Sequence, residues 1–234
     1  NIAWEYFVIQ FIGGSFLILT VLTAYTSGYK FIGAVEEFWL QLMFIAALGV
    51  KSAIIGLHSW VPYVYRQAST SFCALSSGLV AKLGYITMLR IINDGNRLML
   101  YLGLIMIFYG GIKALEVKNY KLILAYSSIS QFGFITLAIG SGNNYGYYGA
   151  LLHIIAHAFA KSTLFNGAGN WFREFNSTSI FDFERCELRQ KVNSLSTIIS
   201  FLSLMAFPFF IGYNSKNLIK YSLSSIPMFE LLLH

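Results

Sequence analysis

Four lysines, Lys51, Lys82, Lys161 and Lys216, fall inside or at the edge of long apolar stretches of this 234-residue chain. An ionisable group at bilayer depth costs roughly 2.5–3.5 kcal/mol on insertion scales, so it faces a bundle interior or a wet path. One lysine at a helix end can snorkel to the interface. Several at similar depth in successive segments read as a row of charge carriers. An amine in low dielectric loses part of its preference for charge and can exchange protons near neutral pH, whereas arginine stays protonated. Lys51, Lys82 and Lys216 are the main relay candidates. The structural alternative for each is a buried ion pair that only fixes packing.

Lys161 belongs to a second group. His153, His157 and Lys161 recur at four-residue spacing and form one polar stripe on a helix. Neutral imidazole accepts and passes a proton near pH 7. His157 and Lys161 join the relay candidates, while His153 reads as a satisfied core histidine. The spacing is also that of a metal-binding helix, but no glutamate follows His153, which leaves that pattern incomplete. His58, beside Trp60, reads as interfacial. The run Ser127-Ser128-Ile129-Ser130-Gln131 places hydroxyls and an amide within a span, either as glue between helices or as holders of water between titrating groups. Gly133 allows close helix approach.

Acids are scarce in the apolar stretches. Glu5, near the start of the first, is the best candidate, and Glu36, Glu37 and Glu116 read as solvated. No nucleophile–base pair, phosphate-binding loop or thiolate cluster is present, so the residues support no cofactor and no metal in this chain. Cys73 and Cys186 form no spaced metal or redox pattern.

The elements that must position these groups follow from composition. Apolar residues make up 56% of the chain and charged residues 11%, against about 25% charged in a soluble domain. The fold class is therefore all-α, a polytopic transmembrane bundle occupying residues 1–234 as a single domain. Hydropathy sets seven spans, near 3–25, 38–57, 69–92, 98–115, 120–140, 146–172 and 192–213, with a weaker apolar tail at 222–233 as a possible eighth. The first is too long for the apolar core of a signal peptide and reads as a true span. The start at Asn1 rather than Met suggests a processed, truncated or incompletely recorded start. The polar connection 173–191 reads as an amphipathic piece on the membrane surface.

The net charge of +6 serves orientation rather than nucleic-acid binding. Arg66, Lys113, Lys118, Lys121, Arg173, Arg185, Arg189 and Lys191 fall on one side, against Lys30, Arg90 and Arg97 on the other. The positive-inside rule places the richer side in the matrix or cytoplasm. Two spans should be irregular. Pro62 follows a belt-type Trp60 at the end of the second, and Pro208 and Gly212 precede Lys216. Paired broken helices point to an ion path in transporters. A proline near an ordinary helix end is the plainer reading of each.

These residues resemble a known family. Lys51, Leu57-His58-Ser59-Trp60-Val61-Pro62, Ala74-Leu75-Ser76 and Lys82 are similar to the central signature of the antiporter-like subunits of respiratory complex I. Residues 121–130 resemble its KxLLAYSSIS stretch, His157-Ala158-Phe159-Ala160-Lys161 its HAFFKALLF segment, and Gly212-Tyr213-Asn214-Ser215-Lys216 its GFxSK. Within the family, Val61-Pro62, Val64-Tyr65 and the AYSSIS run look most like subunit 2. Lys82-Leu83-Gly84-Tyr85 with Arg90 looks like subunit 4, placed second, and His157–Lys161 is similar to subunit 5 and Mrp-type members.

The resemblance implies a proton-translocating subunit of NADH:ubiquinone oxidoreductase in the mitochondrial inner membrane. A bacterial plasma membrane is the alternative location. Mrp-type cation/proton antiport and a structural, non-pumping remnant are the alternative functions. NADH, FMN, iron–sulfur clusters and ubiquinone would be held by other subunits of the complex. The partners implied are other membrane-arm subunits and lipid, with no nucleic acid. Lys82 would receive a proton from the matrix side, Lys51 would be a switch held by an acid, and Lys216 would pass the proton outward. Family members have about fourteen spans in two inverted repeats, which this chain matches from the sixth to about the twelfth. The glutamate that partners Lys51 would then come from a separate chain, or a truncation would have removed it.

Overall fold

A computed structural model describes residues 2–29, 33–175, 179, 191–224 and 226. Ten α-helices occupy them: α1 (Ile2–Thr26), α2 (Phe38–Ser52), α3 (Trp60–Gln67), α4 (Thr70–Leu75), α5 (Ala81–Ile91), α6 (Arg97–Glu116), α7 (Tyr120–Ser141), α8 (Asn144–Phe175), α9 (Lys191–Leu204) and α10 (Ile211–Ser224). A π-helical turn, Ser76–Val80, joins α4 to α5. Among the described residues four helical stretches are long and apolar enough to cross a membrane: α1, Thr70–Ile91, α6 and α7. At 32 residues α8 is longer still, about 48 Å against a hydrocarbon core of roughly 30 Å.

Local chemistry sets the ends. Asn96 Oδ1 accepts the Leu98 amide at 2.9 Å, and Asn119 Oδ1 accepts that of Leu122 at 3.3 Å, which caps α6 and α7. Gly142 closes α7 in the left-handed conformation, with φ 63°. Contacts between ends sort the connections into two faces. Asn119 pairs with Ser179 on the face of Arg66, Lys113 and Lys118. On the opposite face the Asn96 amide donates to Gly140 O, and Asn143 Nδ2 to Ser222 O. Among the described residues, Arg66, Lys113, Lys118 and Lys121 fall toward one face and Arg90 and Arg97 toward the other, as expected, while Lys30, Arg185 and Arg189 lie outside the described residues. The 173–191 connection and the 222–233 tail fall largely outside the described residues, as does Cys186. Cys73 is a buried free thiol.

α7 is the central helix, with 67% of its most apolar window buried, against 17% for α1. It packs against α6 through a seam of small residues. A Cβ placed on Gly133 would stand 2.7 Å from Gly103 O and 2.8 Å from the Ile107 amide. No side chain fits there, so the two backbones touch, as membrane helices do at small residues.

Two expected spans are divided. The stretch 38–57 stops being helical at Ser52, because Ala53 turns left-handed (φ 54°) and Gly56 follows at φ 89°. Helix resumes at Trp60, so Pro62 is the third residue of α3, where its missing N–H has no intrahelical partner to lose. Pro62 opens the second half-helix and does not make the break. Trp60 is no belt residue either. It is buried, and its Nε1 donates to Val50 O of α2 at 2.8 Å. The stretch 192–213 divides at residues 205–210, around Pro208, with Ala206 (φ 61°) and Phe209 (φ 76°) left-handed. Among the described residues, the only positive-φ positions other than glycine are these two and Ala53. Such strain, of order 1–3 kcal/mol per residue, persists only where the surroundings enforce it.

Two substitutions test this packing. Gly133→Val forces α6 from α7 and is expected to destabilise the bundle by about 1–3 kcal/mol, read as a lower thermal midpoint in detergent. Trp60→Phe leaves the Val50 carbonyl unpaired, at a cost of about 1–3 kcal/mol, read as faster proteolysis within residues 53–59.

Candidate functional site

The basic residues converge on the face of α8 that meets the π turn, α7 and α10. Lys161 is fully buried, and its Nζ donates to Leu124 O at 2.9 Å and to Ser127 Oγ at 2.7 Å, both on α7. Lys82, just past the π turn, is 1% exposed. Its Nζ has no hydrogen-bond partner among the described residues and stands 5.4 Å from the centroid of the Phe132 ring. Lys161 lies within its electrostatic reach. The His157 ring packs on the same Phe132 at 5.0 Å, with neither ring nitrogen hydrogen-bonded among the described residues. Its centroid is 6.4 Å from that of His153.

His153 Nδ1 stands 3.0 Å from Ser215 Oγ on α10, and its Nε2 has no partner among the described residues. One residue on, Lys216 Nζ donates to Leu204 O at 2.7 Å, across the break between α9 and α10. It also stands 4.8 Å above the Phe134 ring, which packs on His153 at 6.0 Å. The order along the row is Lys161, then Lys82 and His157, then His153, then Lys216. His157 lies within electrostatic reach of Lys82, Lys161 and Lys216.

The chemistry open to this row is proton exchange among amines and imidazoles. It contains bases alone: every acid whose side chain is described, Glu5, Glu36, Glu37, Asp94 and Glu116, is exposed. Burying several charges without a counter-charge is prohibitive, so the row cannot be fully protonated. Among the described residues no third ligand joins His153 and His157 to hold a metal.

Four of the five expected site residues, Lys82, His157, Lys161 and Lys216, come together. Lys51 does not. It is half-buried in the last turn of α2, with no partner among the described residues. Glu5 lies at the exposed start of α1, beside Tyr63. His153, read from sequence as a satisfied core residue, stands in the row with one nitrogen bonded. The serine run divides its work: Ser127 holds Lys161, and Ser130 donates to Ile107 O at 3.0 Å on α6. Lys121, counted from sequence with the loop residues, is 9% exposed and donates to Ala68 O at 2.8 Å, at the end of α3. Its signal was a cation at a helix start, where the dipole disfavours it.

Comparison with known proteins gives this geometry a setting. The chain is 38% identical over 144 residues to the NAD(P)H-quinone oxidoreductase chain 4, chloroplastic, of Hordeum vulgare, covering 58% of this chain and 29% of that protein. It is 30% identical over 205 residues to the protein of the same name in a Saccharum hybrid, covering 84% and 41%. Both carry the name of the member placed second on residues alone. The chain thus spans less than half the length of these relatives. Its fold matches a chain of respiratory complex I from Thermus thermophilus with bound NADH, with TM-score 0.87 at 21% identity, over 99% of this chain and 54% of that one. The family profile matches residues 3–233, and the chain belongs to the NADH:quinone oxidoreductase/Mrp antiporter transmembrane family.

Proposed function

We propose that this chain belongs to a proton-translocating membrane-arm subunit of an NADH:quinone oxidoreductase, and that the basic row is its proton path. The observation that carries this reading is the burial of Lys161, Lys82, His157 and His153 in one line ending at Lys216, with no acid among them. Structural lysines at depth come with counter-ions; bases that share too few protons suit a relay. Lys161 and Lys82 take protons from the basic face, His157 and His153 carry them past Phe132 and Phe134, and Lys216 releases them toward the opposite face. Lys51, which stands apart from the row, acts as the switch, held by an acid of a neighbouring helix in the assembled complex. Redox chemistry on NADH, flavin, iron–sulfur clusters and quinone belongs to partner subunits of that complex and drives the charge changes here.

Lys82→Met removes the one amine of the row that has no hydrogen bond to lose among the described residues. Proton pumping by the assembled complex, followed with a ΔpH dye in sealed vesicles, is expected to fall sharply while assembly on native gels is retained. Unchanged pumping would sink the assignment and favour a non-pumping structural role. Co-purification with flavin and iron–sulfur proteins is expected, and isolation with antiporter subunits alone would argue for the Mrp-type reading.

The mitochondrial inner membrane is our placement of the chain, supported by its wealth of Phe, Tyr, Ile, Asn and Lys, the residues of AT-rich organellar codes. It is expected to fractionate with mitochondrial markers. Recovery with plastid membranes, in keeping with the chloroplastic relatives, would overturn that placement.

A further inference from the structure

The first break of the bundle is tied to the basic row through one side chain. The carbonyls freed where α2 stops find their donors in different places. Gly49 O receives the Ile54 amide at 3.0 Å and Val50 O the Trp60 indole at 2.8 Å, both from residues just past the break. Ser52 O, next to Lys51, receives its donor from another span: the Tyr85 hydroxyl of α5, at 2.9 Å. Both residues are fully buried. α5 also sits directly on this last turn. A Cβ on Gly84 would collide with Ser52 Oγ and stand 3.2 Å from Leu48 O. Packed this closely, the end of α2 and α5 cannot shift independently.

On its other side Tyr85 enters the row. Its ring packs on Phe132 of α7, with centroids 5.4 Å apart. Phe132 is also the ring that Lys82 Nζ faces at 5.4 Å and that His157 packs on at 5.0 Å. Lys82 and Tyr85 are three residues apart, on one face of α5, and so meet the same ring. An aromatic face attracts an ammonium within about 6 Å of its centroid. Lys82 Nζ has no hydrogen bond among the described residues, so the position of Phe132 governs how well a charge is held there. Each step from Ser52 to Lys82 is a direct contact: carbonyl to hydroxyl, ring to ring, ring to amine.

We propose that Tyr85 is a positioning residue that couples the end of α2, where Lys51 sits, to the charge held on Lys82. The inference rests on the proton-path reading above and supplies its link to Lys51, which stands apart from the row. When Lys51 gains or loses its partner, the last turn of α2 moves. The Ser52 carbonyl then draws the Tyr85 hydroxyl with it, and the tyrosine ring shifts Phe132 beside Lys82. Tyr85 itself carries no proton, and its O–H bond stays intact.

Tyr85→Phe keeps the ring on Phe132 and removes only the hydroxyl. In the assembled complex in sealed vesicles, the pumping rate is expected to fall about tenfold, the upper end of one hydrogen bond's net contribution. Lost packing lowers the rate too, so the deciding measurement is a cycle with Lys51→Arg, which keeps the charge but holds its proton. With Tyr85 carrying the state of Lys51, the double variant pumps as the slower single variant does. Phe132→Leu cuts the link at its far end without touching the Ser52 carbonyl, and is expected to mask Lys51→Arg in the same way. Should Tyr85→Phe not assemble, the Phe132→Leu cycle alone decides. Losses that multiply in either double variant, or a normal rate in Tyr85→Phe or in Lys51→Arg, overturn the coupling. In each of these cases, pumping lost in Lys82→Met leaves the proton-path reading standing. If Lys82→Met pumps normally, that reading fails, and the coupling with it.

Discussion

The structure depends on one constraint: a helix that stops inside a membrane leaves carbonyls with no water to receive them. Up to four acceptors are freed at each C-terminal end, at several kcal/mol apiece in hydrocarbon. This chain stops helices at depth twice and meets the demand with long donor side chains. Trp60 reaches back from α3 to Val50, and Lys216 reaches back from α10 to Leu204. Lys121 treats the end of α3 the same way through Ala68. A cation suits the negative end of a helix dipole, so the second break and Lys216 explain one another. Without Lys216, the gap at 205–210 would expose acceptors to lipid; without the gap, Lys216 would have nothing to hold.

A rigid frame surrounds these soft points. The α6–α7 seam at Gly103 and Gly133 leaves no room for sliding, and α7 carries the two oxygens that anchor Lys161. The left-handed residues Ala53, Ala206 and Phe209 sit on the other side of the balance, strained and confined to the breaks. Packing thus sets a fixed wall beside two strained breaks, and the basic row ends at the second of them.

Much of this was legible in the residues. Apolar stretches placed most of the helices, though not α3 or α10, turn residues placed several ends, and lysines where none should be marked the candidate site. What failed to show has a common cause. Hydropathy averages over a break, so 38–57 and 192–213 read as whole spans although Ala53 and Ala206 divide them. A proline announces irregularity without saying on which side it lies, and Pro62 proved to begin a helix. The π turn carries no compositional mark. Trp60 reads from sequence as interfacial because a polar side chain near a helix end gives no sign of its acceptor, here Val50, 10 residues away in sequence. Lys51 was ranked with Lys82 by depth in sequence alone, and depth says nothing about which way a residue faces.

Among the described residues no acid stands in the basic row, and on the proposed path this would govern how many carriers it can load at once. Two unit charges roughly 10 Å apart, at an effective dielectric of about 20, repel by ~1.7 kcal/mol, close to a tenfold penalty on joint occupancy. His157 lies within electrostatic reach of Lys82, Lys161 and Lys216, and Lys82 within that of Lys161, so the proposed path would favour one guest at a time. On the proton path proposed above, each arrival at Lys161 would press the previous occupant toward Lys216. Traffic in such a file needs no valve at every station, because crowding itself sets the direction once the entrance is fed.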